Sequence, residues 1–275
     1  MVGLRNILGG LAALVVTCTA LAAQAAERDE LRAFLEVTGF DVAITSMQQG
    51  AMAGPGLAGD APDAFGDQWV RLAEEVFDPE VMLERALDMM AAVMPDELVS
   101  HGMAFYGSDL GQRLVEAENE SHMTPDEERY RIGEDLVAAM LDDNPGRAED
   151  LRAMTNAIGG VDSSVPAVIE IQVRYLMAAA ARTSEATYSE AELRAILAEQ
   201  VPRMRENIEV YSLLGSAYAY RDFTDDEVAA YLAALEHPLM QQVYEVLNAV
   251  QYEVMAERYE ALAARLDELS PQQEI

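Results

Sequence analysis

The residues of this chain best suited to bind a metal or transfer a proton at neutral pH are three histidines, His101, His122 and His237. In helical proteins a carboxylate-bridged pair of metal ions takes ligands from Glu-x-x-His segments, with a glutamate three positions before each histidine. Here those positions hold Leu98, Asn119 and Ala234. The sequence therefore predicts no di-metal site of this kind.

A second candidate is the pair Glu118 and His122, which are four residues apart and so share one face of a helix. The spacing suits two metal ligands, but it is far more common in ordinary surface pairs, and we interpret it as one. We read His101 and His237 as partly exposed and not metal-binding. Since neither a His-Glu-x-x-His segment nor an EF-hand loop occurs in the sequence, we expect no metal and no cofactor.

The segment Gly107-Ser108-Asp109-Leu110-Gly111 superficially resembles the nucleophile elbow of hydrolases. That motif is Gly-x-Ser-x-Gly and follows a β-strand, whereas Ser108 follows a segment of helical periodicity. Ser108 is better suited to cap a helix, and Gly107 to end the preceding helix in the left-handed conformation. We therefore expect no catalytic residue here and a protein that is not an enzyme.

The elements that must position these residues are helices. Apolar residues recur at intervals of three and four, and no segment alternates as a strand would, so we predict an all-α fold of about ten helices. Capping boxes are predicted at Thr124, Ser189 and Thr224, and Pro202 is expected to break or begin a helix. A long C-terminal helix is predicted from Pro238 to about Leu269.

The apolar stripe of this last helix resembles a coiled-coil seam with a stutter. Packing within its own domain is the favoured interpretation. A protein partner or a homo-oligomer formed through this helix is the alternative.

The chain also carries an internal repeat. Residues 94–119 and 223–248 share their apolar pattern at an offset of 129 positions, with Val99 matching Val228 and Leu114 matching Val243. Each copy predicts an acidic helix start, a short helix, a turn and a second helix. We expect two related helical halves, residues 26–143 and 144–275.

The turn of the first copy, Phe105-Tyr106-Gly107-Ser108-Asp109-Leu110-Gly111-Gln112-Arg113, resembles an exported bacterial family described as domain of unknown function 2059. The hallmark of that family is an aromatic pair followed by Ser-Pro-x-Gly and often Gln; here Asp109 replaces the proline. The second copy keeps only Pro238 and Gln241. The resemblance implies an exported helical protein and brings no activity with it. The residues expected to form a tight structural corner are Phe105, Tyr106, Ser108, Gly111, Gln112 and Arg113.

The charge of the chain restricts its partners. Asp and Glu number 49 against 18 basic residues, which gives a net charge of −31, and every basic residue is Arg. Such a chain repels polyphosphate, so we expect no nucleic-acid partner. Cationic partners, divalent cations and apolar ligands remain compatible with it.

The N-terminus has the features of a secretory signal peptide. Arg5 precedes an apolar run from Ile7 to Ala23, and Ala23-Gln24-Ala25 fits a cleavage site, so residues 1–25 are predicted to be removed. We expect a periplasmic protein without a membrane span. Lipid attachment at Cys18 is disfavoured because Thr17 fits the lipobox poorly.

These observations predict an exported, non-enzymatic binding or scaffold module. The alternative is a protein that binds a small molecule or a divalent cation between its two halves.

Overall fold

The computed structural model describes residues 27–53, 65–181 and 188–269; the predicted signal peptide lies outside them. Throughout these ranges the regular structure is helical, so the all-α prediction is confirmed. The helices are α1 (27–38), α2 (Phe40–Thr45), α3 (Met47–Ala53), α4 (Asp67–Val76), α5 (Pro79–Val93), α6 (Asp96–Tyr106), α7 (Asp109–Met123), α8 (Asp126–Asp143), α9 (Pro145–Ala157), α10 (Gly160–Ala180), α11 (Glu190–Ala219), α12 (Asp225–Leu235) and α13 (Pro238–Ala264).

Side-chain caps fix several helix starts. Ser189 begins α11 and Thr224 begins α12 with reciprocal capping boxes, as predicted. The capping box predicted at Thr124 is wrong. The Thr124 hydroxyl donates instead to the carbonyl of Glu120 at 2.8 Å, and Pro125 occupies the N-cap position of α8 without a side-chain bond.

Two other predicted boundaries are wrong. Pro202 lies inside α11, which continues from Glu190 to Ala219, so this proline neither begins nor ends a helix. The last helix ends at Ala264 rather than near Leu269, and a 3₁₀ turn, Leu266–Glu268, follows it.

The apolar stripe of α13 lies in the core of the chain. Met240, Val243 and Val254 have no exposed surface, and α13 packs against α4, α5, α6 and α10. These residues of the stripe are therefore covered by the chain's own helices.

Ion pairs connect α10 to two neighbouring helices. Arg174 and Glu170 lie four apart on α10, but they do not pair with each other. Arg174 bonds two glutamates of α13, Glu253 at 2.7 Å and Glu260 at 2.8 Å, while Glu170 bonds Arg194 of α11 at 2.7 Å. The neighbouring helices therefore supply the partners of both residues.

The two copies of the repeat form helix pairs with matching bounds. Asp96 and Asp225 begin α6 and α12, and Tyr106 and Leu235 end them, each pair separated by the offset of 129. One apolar core includes residues from both parts of the chain. Two related halves therefore remain a prediction.

Within the described ranges, none of the helices combines the length and the apolar character that crossing a membrane requires.

Candidate functional site

The corner predicted from Phe105 to Arg113 is the turn between α6 and α7. Ser108 is the N-cap of α7, where its hydroxyl accepts a hydrogen bond from the Gly111 N–H at 3.1 Å and donates one to the carbonyl of Phe105 at 2.6 Å. The left-handed conformation predicted for Gly107 is wrong, since its φ is −76°. The Gly107 N–H still bonds the carbonyl of Met103, so α6 ends through a right-handed turn.

Gly111 is the point of closest approach in this corner. A β-carbon there would lie 2.6 Å from the Cα of Tyr106 and 2.8 Å from its carbonyl oxygen, and closer still to the carbonyl oxygen of Phe105. Gln112 ties the corner together by donating to the carbonyls of Tyr106 at 2.6 Å and Val37 at 3.2 Å.

Arg113 connects this corner to the start of α12 in the second repeat copy. Its guanidinium forms an ion pair with Glu227 of α12 and lies over the ring of Phe223, 5.3 Å from the ring centroid. The second corner is the turn between α12 and α13. There His237 occupies the N-cap position of α13, and its Nδ1 accepts a hydrogen bond from the Leu239 N–H at 3.2 Å. The rings of His237 and His101 stack with their centroids 4.5 Å apart.

Between the two corners lies a network of buried hydroxyl groups. Tyr106 of α6 bonds Tyr231 of α12 at 3.0 Å and also bonds Tyr244 of α13, and Tyr231 and Tyr244 are 3.2 Å apart. Phe105 stacks on Tyr231 with ring centroids 5.7 Å apart. The aromatic pair of the motif therefore joins α6 to α12 and α13.

This network ends on a carboxylate. The hydroxyls of Tyr220 and Tyr231 donate to Glu118 at 2.7 and 2.9 Å, and both bonds reach the same oxygen, Oε1. Oε2 therefore takes no part in these bonds. Burial raises the pKa of the Glu118 carboxyl above its ordinary value. The two hydrogen bonds that the carboxylate accepts act in the opposite direction but do not cancel this rise. Burial and the charge of Glu118 also raise the pKa of Tyr220 and Tyr231 well above that of a free tyrosine.

Glu118 faces a cavity of about 480 Å³. Segments of α1, α2, α7, α8, α9, α11, α12 and α13 contribute to its walls. The buried rings of Tyr220, Tyr231 and Tyr244 form its inner side, and the exposed residues His122 and Tyr211 lie at its outer side. The volume lies within the roughly 300–1,000 Å³ typical of small-molecule sites.

The interpretation of Glu118 and His122 as an ordinary surface pair is wrong for Glu118, whose carboxylate belongs to the tyrosine network. His122 lies at the outer side of the cavity, where desolvation and the nearby charge of Arg129 lower its pKa. In the ranges that the structure describes, no three His, Cys, Asp or Glu side chains come together as a metal site would require.

Two polar atoms of cavity-lining residues are buried without a hydrogen-bond partner among the described residues, the Oδ1 of Asn119 and the Nε of Arg129. The other nitrogens of Arg129 are occupied. Nη1 bonds the carbonyl of Ser121 at 3.1 Å, Nη2 bonds Asp126 and the hydroxyl of Tyr130, and the guanidinium lies 4.8 Å from the centroid of the Tyr130 ring. Asn119 is thus an acceptor next to Glu118 that still lacks a donor.

A second cavity of about 500 Å³ adjoins the first, and Ile158 and Asn248 line both. The Nδ2 of Asn248 donates to the carbonyl of Ile158 at 2.8 Å. This bond joins α13 to the end of α9, between the two cavities.

From the sequence, Tyr106 was predicted as a corner residue and Glu118 only as half of a surface pair. Tyr231 and Tyr244 occupy buried helix positions, and no role was predicted for them. The sequence did contain a signal for this site. Glu118 lies one helical turn after Leu114, which is fully buried, so a carboxylate lies on an apolar helix face. A buried carboxylate needs donors, and tyrosines at apolar positions need partners for their hydroxyls.

No family model, no curated protein and no solved structure matches this chain. The resemblance to domain of unknown function 2059 remains a prediction from the residues of the first corner.

Proposed function

We propose that this chain is an exported, non-enzymatic binding protein that holds a small molecule in the cavity beside Glu118. The observation that carries the proposal is the cavity itself, whose volume is that of a ligand site and whose inner wall combines aromatic rings with a carboxylate oxygen outside the tyrosine network. Ligand sites in proteins combine mainly apolar walls with a few fixed polar groups in this way.

The tyrosine network supports binding because it holds the carboxylate in place. Glu118 on α7 is fixed by a donor from Tyr220, the residue after α11, and by one from α12, and Tyr231 is in turn fixed by Tyr106 and Tyr244. A ligand that bonds Glu118 therefore meets a group whose orientation is already set, which reduces the entropy lost on binding.

The experiment is a thermal-shift screen of a metabolite collection against the protein and two variants. Gly215 lines the cavity and has no atom within 4 Å of the place where a β-carbon would lie, so Gly215→Leu fills the cavity without a clash at that carbon. Gly50 has the same free space in α3, away from the cavity, which makes Gly50→Leu the matched control.

At least one compound should raise the melting temperature of the wild type and of Gly50→Leu while leaving Gly215→Leu unchanged. The proposal fails if no compound does so, or if every stabilising compound acts equally on Gly215→Leu.

The non-enzymatic part of the proposal has its own test. A carboxyl group with a raised pKa in a cavity also suits a general acid or base. Turnover of any substrate in a broad hydrolase screen, abolished by Glu118→Gln, would contradict a function limited to binding.

Export is tested by mass. The protein recovered from a periplasmic extract should have the mass of the chain that begins at Ala26. A lipid-modified Cys18, or an uncleaved chain in the cytoplasm, would contradict this.

A further inference from the structure

Two neighbouring residues that line the cavity, Glu118 and Asn119, carry hydrogen-bond acceptors. Oε1 of Glu118 accepts from Tyr220 and Tyr231, and Oε2 lies outside that pair of bonds. Asn119 follows Glu118 in the sequence, and its Oδ1 is a buried acceptor without a partner among the described residues. A buried acceptor without a hydrogen bond is costly, and a ligand that donates to it removes this cost.

The charge on this side of the cavity is negative. Glu118 is the only acidic residue in the cavity wall, and no ion pair to it is found in the described part of the chain. Arg129, the one arginine among the described residues of the wall, is already paired with Asp126 and lies on the ring of Tyr130. Arg129 is therefore not the partner of Glu118.

Aromatic rings surround the same space. Phe40 and Tyr244 line the cavity with their rings edge to face, 5.9 Å between centroids, and Tyr130 and Tyr211 do so with centroids 4.8 Å apart. Ring faces attract cations through their quadrupole, and cages of this type recognise organic ammonium groups. The net charge of −31 raises the local concentration of cations around the whole protein.

We propose that the ligand of this cavity is a small organic ammonium ion, whose N–H groups donate to Oε2 of Glu118 and Oδ1 of Asn119 while its apolar part lies against the rings. This inference rests on the proposed binding function and adds the chemical class of the ligand. A divalent metal ion fits the cavity less well, because calcium, for example, takes about 6–8 oxygen ligands and Glu118 supplies the only carboxylate among the described residues of the wall.

The test is calorimetric titration of the purified protein with four probes that share one ring and differ in the head group. These are 2-phenylethylamine, its N-trimethylated form, 2-phenylethanol and 3-phenylpropanoate. The primary amine should bind at least about tenfold more tightly than the alcohol, because a hydrogen bond to a charged partner is the stronger kind. The propanoate should bind most weakly of all.

Two substitutions assign the effect to the named residues. Glu118→Gln keeps an oxygen that can accept from the tyrosines but removes the charge, and should weaken the amine about tenfold more than it weakens the alcohol. Asn119→Asp adds a second carboxylate and should tighten the amine without tightening the alcohol. Melting curves of both variants establish that they fold.

The outcomes separate the inference from the function on which it rests. If the alcohol or the propanoate binds as tightly as the amine, and Gly215→Leu abolishes that binding, the cavity binds ligands but the ammonium inference is overturned. If the trimethylated probe binds more tightly than the amine, donation to Glu118 and Asn119 is refuted. If none of the four probes binds, the ammonium inference fails, and the metabolite screen decides the proposed function separately.

Discussion

Gly111→Ala is the sharpest test of the corner between α6 and α7. The substitution adds one methyl group at a point where the nearest atoms are the carbonyl oxygen of Phe105 and, at 2.6 and 2.8 Å, the Cα and the carbonyl oxygen of Tyr106. All three belong to the backbone. Because no flexible side chain can move aside, the chain must shift the end of α6 relative to the start of α7.

The expected cost follows from this geometry. Overpacking by one methyl group costs about 1–3 kcal/mol when the surroundings must move, and here the shift also displaces Tyr106 from its partners Tyr231 and Tyr244. The matched control is Gly215→Ala, four residues before the end of α11, where the added carbon meets no atom within 4 Å. Alanine in a helix interior is more stable than glycine by about 0.5–1 kcal/mol.

The assay is denaturant unfolding followed by circular dichroism, with melting curves beside it. The two variants should change the free energy of unfolding in opposite directions. Each kcal/mol corresponds to about 2–4 °C in the melting temperature of a domain of this size. If Gly111→Ala is as stable as the wild type, the two helices can separate without cost, and the corner does not fix Tyr106.

Three further substitutions test the site and its surroundings. Tyr106→Phe removes a buried hydroxyl that has two partners and should lower the free energy of unfolding by about 1–3 kcal/mol. The control is Tyr211→Phe at an exposed position, which should change it by no more than about 0.5 kcal/mol. Equal effects would show that the network does not stabilise the fold. Arg147→Lys should lower the free energy of unfolding by about 1.5–3 kcal/mol, because the guanidinium bonds the carbonyls of two residues in the turn before α12 as well as Asp225, and an ammonium cannot match that fork. The control is Arg131→Lys, because 65% of the Arg131 side chain is exposed. Equal stability of both variants would contradict the role of the fork. Burial raises the pKa of Glu118, so this group stabilises the folded state below the ordinary glutamate pKa and loses that contribution as pH rises through the raised value. The stability of the wild type relative to Glu118→Gln, measured by denaturant unfolding across this range, should therefore fall with increasing pH. A constant difference would refute the burial of the carboxyl.

The fold class was predictable because it follows from local rules. Helical periodicity, the capping boxes at Ser189 and Thr224 and the cap at Ser108 act within a few residues, and the structure confirms them. Pro202 failed because packing of a 30-residue helix can outweigh the local cost of one proline.

The site was not predictable in the same way because it depends on contacts between distant helices. Glu118 and Tyr220 lie 102 positions apart, and Glu118 and Tyr231 lie 113 apart. Periodicity indicates that a face is buried but does not tell which face of another helix meets it. An acid on an apolar face therefore signalled that donors must exist without showing which tyrosines provide them.

The exclusive use of arginine in this chain has a consequence for its behaviour in alkali. A lysine ammonium loses its charge near pH 10.4, whereas a guanidinium stays charged above pH 12. Links between helices such as Arg85 to Glu257 and Arg174 to Glu260 therefore persist where lysine pairs would dissolve. Burial also raises the pKa of Tyr106, Tyr220 and Tyr231, so the hydroxyl network keeps its protons in the same range. Without lysine, no side chain offers an amine to acylating reagents, and a single lysine introduced on the surface would become a unique side-chain amine.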